Sequence, residues 1–200
     1  PHCPLCGREI RNQSLDQIVD ASMLLLSEKV SSGNVKFMVL SPVVKDKKGE
    51  FSGLLDNLRA RGFKKTRIDG KILDLEEEII LIKTNRHSID VVIDRLTIVK
   101  KDLKNQVSLT NIKSRLSDSI ELALKLSDGL VVISEIKDKA FEIPEYPVNL
   151  HDHLFSEKFS CPIHNIELAE IEPRTFSFNS PEGACPACSG IGKILKIEPS

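Results

Sequence analysis

Six potential metal ligands stand in three short pairs near the two ends of the chain. In each pair two residues separate the ligands, so that one tight turn can direct both side chains at a single ion. Each pair would supply half of a tetrahedral zinc site, and we therefore expect structural Zn²⁺. The pairs are Cys3 with Cys6, Cys161 with His164, and Cys185 with Cys188.

The spacing leaves open which pairs share an ion. Proximity along the chain favours one local finger built from the second and third pairs, which 20 residues separate. The alternative joins the first pair to the second, because residues 3–10 and 161–168 both consist of a knuckle followed by an apolar tail. The third pair lies in a different, glycine-rich stretch and would then need ligands beyond Ser200.

A redox function is the alternative to zinc. The chain has five cysteines, and an odd number in a chain of this length does not suit a disulfide framework. Cys3 and Cys6 could instead form a redox-active dithiol. Metal analysis separates the two hypotheses, because about one or two zinc ions per chain fit structural sites, whereas a cycling disulfide without zinc fits redox chemistry.

Composition indicates a globular chain of one or two domains. Of its 200 residues, 40% are apolar, which is enough to build a buried core. The 28 Lys and Arg and the 29 Asp and Glu leave a formal charge of −1, so the chain lacks the positive field of a domain that holds nucleic acid by its phosphates. No apolar run approaches the roughly 20 residues of a membrane span, and we expect a cytoplasmic fragment.

Hydrophobic periodicity between the cysteine-bearing ends predicts an α+β fold, with a mixed or antiparallel sheet and about three helices. Ser14 and Gln17 form a potential capping box, and Asp69-Gly70 is typical of a tight hairpin turn. The predicted helices lie at about residues 14–29, 51–58 and 109–124, and the predicted strands at 35–44, 63–68, 71–75, 79–83, 88–99 and 130–136.

Two further expectations concern individual side chains. Alternation along residues 88–99 places Arg95 on the same side as Ile89 and Val91. Residues 137–159 lose periodicity and predict a connecting stretch. We therefore expect the two histidines of this stretch, His151 and His153, to decorate a linker rather than to bind metal.

The C-terminal part of the chain carries a resemblance to a known family. The stretch IEPRTFSFNSPEGACPACSGIG at residues 171–192 closely resembles the segment that follows the UvrB-binding domain in the UvrA family of bacterial excision-repair damage sensors. The resemblance spans nearly the whole chain and extends to residues 1–8, 13–20, 67–70, 87–95 and 154–158.

The resemblance implies a piece of the first signature region of an ABC-type ATPase, carrying an inserted domain that docks UvrB during nucleotide excision repair. Residues 12–157 would be the UvrB-binding domain, and residues 1–11 and 158–200 the two halves of a zinc-knuckle root. The parent protein would be a homodimer that contacts DNA.

The resemblance also bears on the zinc ligands. Family members carry a further C-x-x-C-x-G after a second insertion, which would supply partners for Cys185 and Cys188 and favours the split pairing. His164-Asn165 departs from the Cys-Gly of many members. Imidazole is nevertheless a competent zinc ligand.

The docking residues follow from the same resemblance. Arg67 and Arg95 fall in segments that match the family's UvrB-facing surface, and arginine suits bidentate pairing with a partner's carboxylates. Lys65 stands where family members often carry arginine. We therefore expect Lys65, Arg67 and Arg95 to contact UvrB, against the simpler interpretation that they are solvated strand residues.

We expect no catalysis from this fragment. A phosphate-binding loop requires Gly, four residues and then Gly-Lys-Ser or Gly-Lys-Thr, and Gly190-Ile-Gly-Lys193 lacks the earlier glycine and the hydroxyl. ATP would therefore bind only elsewhere in the parent protein. The alternative function is a zinc-dependent DNA-binding module, since Lys158, Arg174 and Lys193 surround the knuckles, although the neutral net charge argues against it.

Overall fold

The computed structural model describes residues 13–30, 33–139 and 142–158, together with residues 5, 7, 160, 161, 166, 167, 177 and 184. The chain divides into two compact units, Pro1–Ile166 and Glu167–Ser200, and the fold below is that of the first. Of the six predicted zinc ligands, only the backbone of Cys161 is described. The zinc prediction therefore lies outside the described residues, and the predicted domain boundaries stay a prediction.

A six-stranded antiparallel sheet organises the first unit and confirms the predicted α+β class. Its strands are β1 (Val35–Lys48), β2 (Lys65–Ile68), β3 (Lys71–Asp74), β4 (Arg86–Ile98), β5 (Leu130–Ile136) and β6 (Leu150–Ser156). They lie in the order β3-β2-β4-β1-β5-β6, and every neighbouring pair is antiparallel. The two-residue strands β7 (Ser160–Cys161) and β8 (Ile166–Glu167) form a separate small sheet.

Within the described residues, four helices accompany the sheet: α1 (Leu15–Val30), α2 (Ser52–Ala60), α3 (Lys100–Lys104) and α4 (Gln106–Leu126). The predicted capping box starts α1, because the Ser14 N–H donates to Gln17 Oε1 at 3.0 Å and the Gln17 N–H donates to Ser14 Oγ at 3.3 Å. Asn105 separates α3 from α4 by accepting backbone N–H bonds at the start of α4. No described helix is long and apolar enough to cross a membrane.

The helices bury one face of the sheet. Helices α1 and α4 contribute Ile18 and Leu116 to a cluster that also contains Phe37 of β1. Helix α2 covers the far end of the sheet with Leu55 and Leu58. Each of these five side chains is at most 2% exposed, and burial of such a side chain contributes about 1.5–3 kcal/mol.

The opposite face of the sheet carries a second type of core. Met38, Leu40 and Val92 form an apolar cluster there, against which Ile143 packs. Polar side chains of the same face surround this cluster and include Lys65, Arg67, Asp90, Arg95 and Asp152, as their strand registers show.

The sheet curls strongly around this second core. Strands β2 and β6 are four strand spacings apart in the sheet order, which corresponds to about 19 Å in a flat sheet. Nevertheless, Arg67 Nη1 of β2 lies 2.7 Å from Asp152 Oδ2 of β6. Register shifts at Val39/Leu40, Pro42/Val44 and Val44/Lys47 of β1 are the local irregularities that allow such curvature, since bulges bend strands and increase twist.

One predicted strand is wrong. Residues 79–83 alternate as expected, since Ile79 and Leu81 pack on the α2 cluster, while Ile80 and Ile82 are 80% and 61% exposed. The segment nevertheless has no strand partner among the described residues. It is therefore an extended connection rather than a sheet strand.

One strand was missed. The stretch 137–159, predicted as a connection, contains β6, and His151 and His153 lie on this strand rather than in a linker. Their neighbours Leu150 and Leu154 face the second core. The strand escaped prediction because two histidines and Asp152 interrupt its apolar pattern, although these polar side chains are paired in the folded chain.

Candidate partner-binding surface

An open groove follows the end of β2. Strand β2 pairs with β4 only where Thr66–Ile68 lie opposite Ile89–Val91, so within the described part of the chain residues 92–98 have a strand neighbour on the β1 side alone. A groove of about 600 Å³ borders this free edge. We call it the Arg95 groove, and its charged lining residues include Lys64, Lys65, Glu76, Asp94, Arg95, Arg115 and Glu145.

A β-bulge determines which side chains face this groove. Leu40 pairs with Val92 and Val39 pairs with Asp94, so that Ile93 is an extra residue in β4. One extra residue reverses the facing of every side chain after it. The prediction that Arg95 shares a side with Ile89 and Val91 is therefore wrong, because Arg95 lies opposite Met38 on the other face.

Asp94 and Arg115 form hydrogen bonds at the free edge of β4. Asp94 Oδ1 accepts the Arg95 N–H at 2.8 Å. The Arg115 guanidinium of α4 holds the same carboxylate with two hydrogen bonds of 2.7 and 2.6 Å. The bond to Asp94 raises the pKa of Arg115 against the opposing effect of burial. The positive charge of Arg115 is therefore compensated by Asp94 of the same chain.

Arg95 differs from the other arginines of this region. Its side chain is half-buried, yet its guanidinium has no ion pair or hydrogen bond with any residue that the structure describes. It also borders a second groove, next to Thr97 and Glu142. A carboxylate of another molecule could therefore pair with Arg95 through charge-assisted hydrogen bonds.

Arg67 is committed to the interior of the curled sheet. It is only 8% exposed, its Nε lies 2.7 Å from Asp90 Oδ2, and its Nη1 lies 2.7 Å from Asp152 Oδ2. Burial works against the charged guanidinium, but the two carboxylates outweigh it and raise the pKa of Arg67. Ser134 Oγ donates to Asp152 Oδ1 at 2.6 Å and completes the network.

Lys65 lines the Arg95 groove with its charge already paired. Its Nζ lies 3.2 Å from Glu145 Oε1 and 3.5 Å from Asp74 Oδ2, and 4.3 Å from the ring centroid of Tyr146. Burial lowers the pKa of Lys65, but Glu145, Tyr146 and Asp74 together raise it above its ordinary value.

The structure therefore brings two of the three predicted docking residues to one groove. Lys65 and Arg95 line it, whereas Arg67 does not, and the docking role of all three stays a prediction. Sequence reasoning missed the Asp94–Arg115 pair and the contact of Lys65 with Tyr146. The one tyrosine of the chain, set between two prolines in Pro144–Pro147, was the available signal.

The family model described as the UvrA interaction domain matches residues 13–137. This range contains the sheet up to the end of β5, all four helices, and both Arg67 and Arg95.

Curated relatives match along the whole chain. UvrABC system protein A of Methanothermobacter thermautotrophicus is 42% identical over 200 residues, which are 100% of this chain and 18% of that protein. The Clostridium tetani protein of the same name is 44% identical over 199 residues, or 99% and 18%, and that of Mycobacterium tuberculosis is 42% identical over 200 residues, or 100% and 18%. The chain thus spans about 18% of the length of these relatives, and it belongs to the UvrA family, with strands β1–β5 in the stretch that matches that family's interaction domain.

Proposed function

We propose that this chain is the module by which a UvrA protein docks UvrB during nucleotide excision repair. The observation that carries the proposal is the half-buried Arg95 guanidinium, which borders an open groove without a carboxylate partner among the described residues. The family's description as an interaction domain supports a protein partner. The relatives are named as one component of a UvrABC system, which supports UvrB as that partner.

The groove suits a partner that carries carboxylates. Lys64 also lines this groove, is exposed and, like Arg95, has no ion-pair partner within the described residues. A carboxylate in the groove would form charge-assisted hydrogen bonds with Arg95, and the planar guanidinium can bind it through two parallel bonds. Arginines in such positions are frequent hot spots of protein interfaces.

The charge balance of the chain supports a protein rather than a nucleic acid as partner. The formal charge is −1, and the cations Lys65, Arg67 and Arg115 are neutralised by carboxylates of the same chain. Affinity for DNA would require several free cations along one surface. In this proposal, the rest of the parent protein binds DNA, hydrolyses ATP and forms the dimer.

The proposal includes structural zinc at the base of the module. Its support is the spacing of the pairs Cys3–Cys6, Cys161–His164 and Cys185–Cys188, because paired ligands two residues apart are typical of zinc knuckles. Zinc there would hold the two ends of the chain and perform no chemistry. The docking module is therefore not itself an enzyme in this proposal.

The experiment is a calorimetric titration of UvrB into the chain and into its Arg95→Glu variant. We expect the dissociation constant to rise about 30-fold, which corresponds to the ~2 kcal/mol of an interface hot spot. The matched control is Lys113→Glu, because Lys113 is an exposed residue of α4 that pairs with Asp20 and the charge change is identical. Unchanged affinity of Arg95→Glu, with a native circular dichroism spectrum, would reject the docking role of this groove.

A further inference from the structure

A second group of potential metal ligands lies on β5 and β6. Glu135 pairs directly with His151 across the strands, and His153 follows two residues later on the same side of β6. One ligand atom from each of the three side chains lies within 4.8 Å of the other two. Glu135 is buried, His153 is half-buried and His151 is exposed, so the group opens to solvent on one side.

The two imidazoles are close enough to share one ion. His151 Nδ1 lies 3.0 Å from His153 Nε2. Two nitrogens on one tetrahedral zinc ion, each at 2.0–2.1 Å from it, are about 3.3 Å apart. A small rotation of the exposed His151 ring would therefore bring both nitrogens to coordinating distance.

The donor types determine the class of ion. Two imidazoles and one carboxylate suit borderline divalent transition metals such as Zn²⁺, Co²⁺ and Ni²⁺. Calcium and magnesium prefer sets made of oxygen atoms, which this group does not supply.

Lys29 marks the position that a cation would take. Its Nζ contacts Glu135 Oε2 and lies 3.4 Å from His153 Nε2, between the carboxylate and the imidazole. Lys137 contacts the other oxygen of Glu135. Burial raises the pKa of Glu135, but the two lysines outweigh it and lower that pKa below its ordinary value. The carboxylate is therefore charged and already holds cationic groups.

Lys29 can give up this position. Its side chain is 29% exposed, compared with 8% for that of Glu135, and a long lysine stem can carry its ammonium group to water without disturbing the strands. A metal ion that entered would then replace one positive charge beside Glu135 by two.

We infer that Glu135, His151 and His153 form a binding site for a divalent transition-metal ion, with Lys29 as the competing cation that holds the site closed when the ion is absent. None of its three ligands belongs to the predicted cysteine pairs, and it assigns the histidines of β6 a role that the sequence did not predict.

The test is a titration of the zinc-loaded chain with Ni²⁺, followed by backbone amide NMR. The proposed knuckles would retain zinc because thiolates bind it tightly, while loosely held metal is removed by gel filtration. We expect saturable paramagnetic broadening of amide signals in residues 133–137 and 149–155. His153→Gln should weaken binding about tenfold or more, and Lys29→Met should tighten it severalfold because the competing ammonium is gone.

The same titration includes a control variant. Glu121→Gln removes an exposed carboxylate of α4 that pairs with Lys125 and should leave the Ni²⁺ affinity unchanged. Absence of localised broadening in the wild-type chain, or equal affinity of His153→Gln, overturns the inference. If His153→Gln fails to fold, Lys29→Met decides, because unchanged or weaker binding in that variant also overturns it.

Discussion

At the scale of single residues, Arg67 and Arg95 are two identical side chains in different surroundings. Arg67 forms ion pairs with Asp90 and Asp152, and the second of these pairs connects β2 to β6 across the curled sheet. Arg95 has no comparable partner among the described residues. Both are predicted as docking residues from the resemblance to the UvrA family, but only the structure distinguishes their surroundings.

Arg67→Met should destabilise the fold. Removal of one member of a buried ion pair leaves the other charge uncompensated, which typically costs 3–5 kcal/mol. The Asp90 side chain is only 13% exposed and that of Asp152 is 40% exposed, so we expect the lower end, about 3 kcal/mol. Urea denaturation of the chain measures this change in the free energy of unfolding.

The matched control for that change is Arg86→Met. Arg86 also pairs with an aspartate, but its side chain and that of Asp46 are 56% and 67% exposed, so the expected loss is at most about 1 kcal/mol. If Arg67→Met unfolds at the same urea concentration as the wild type and still binds UvrB less tightly, Arg67 is a docking residue rather than a structural one.

At the scale of elements, the Asp69–His87 pair joins the β2–β3 hairpin to β4 and to the connection that precedes it. His87 Nδ1 lies 2.7 Å from Asp69 Oδ2, and His87 Nε2 lies 3.1 Å from the Ile82 carbonyl oxygen. Both ring nitrogens therefore face acceptors, which favours the doubly protonated imidazolium. The hydrogen bond to Asp69 and that to Ile82 accordingly raise the pKa of His87.

The contribution of this pair to stability should depend on pH. Because the pKa of His87 is raised above 6.5, its contribution is complete below that value and is lost as the pH rises through the folded-state pKa. The pKa of Asp69 is lowered from 3.8 despite opposing burial, so the loss at the acidic end comes below that value. We expect His87→Gln to reduce the free energy of unfolding more at about pH 5.5 than at about pH 8.5.

Denaturant titrations of both proteins at the two pH values make this comparison. The contributions of other titrating groups to the free energy of unfolding cancel in the difference between the wild type and the variant. A difference that is the same at both pH values would show that His87 acts only through packing, for example through its edge-on contact with Phe51.

Local signals predicted most of these elements. The capping box fixed the start of α1, and Asp69-Gly70, with φ angles of 50° and 84°, forms the predicted tight turn, because such signals act within a few residues. The bulge at Ile93 was not predictable, since it depends on how β4 pairs with a distant strand. The face on which Arg95 lies depends on that bulge.

At the scale of the whole molecule, the chain combines a near-neutral charge with an open groove beside Arg95. The formal charge of −1 gives little long-range attraction to DNA, so recognition must come from short-range complementarity. The chain spans about 18% of its relatives' length. The proposed docking function therefore does not require this chain to bind DNA itself.

The most direct measurement is therefore a side-by-side titration of the chain, purified in the presence of Zn²⁺, with UvrB and with duplex DNA at low and physiological salt. We predict saturable binding of one UvrB per chain at both salt concentrations and no retention of DNA. Absence of UvrB binding, or DNA binding that falls steeply as salt is added, would contradict the proposed docking function.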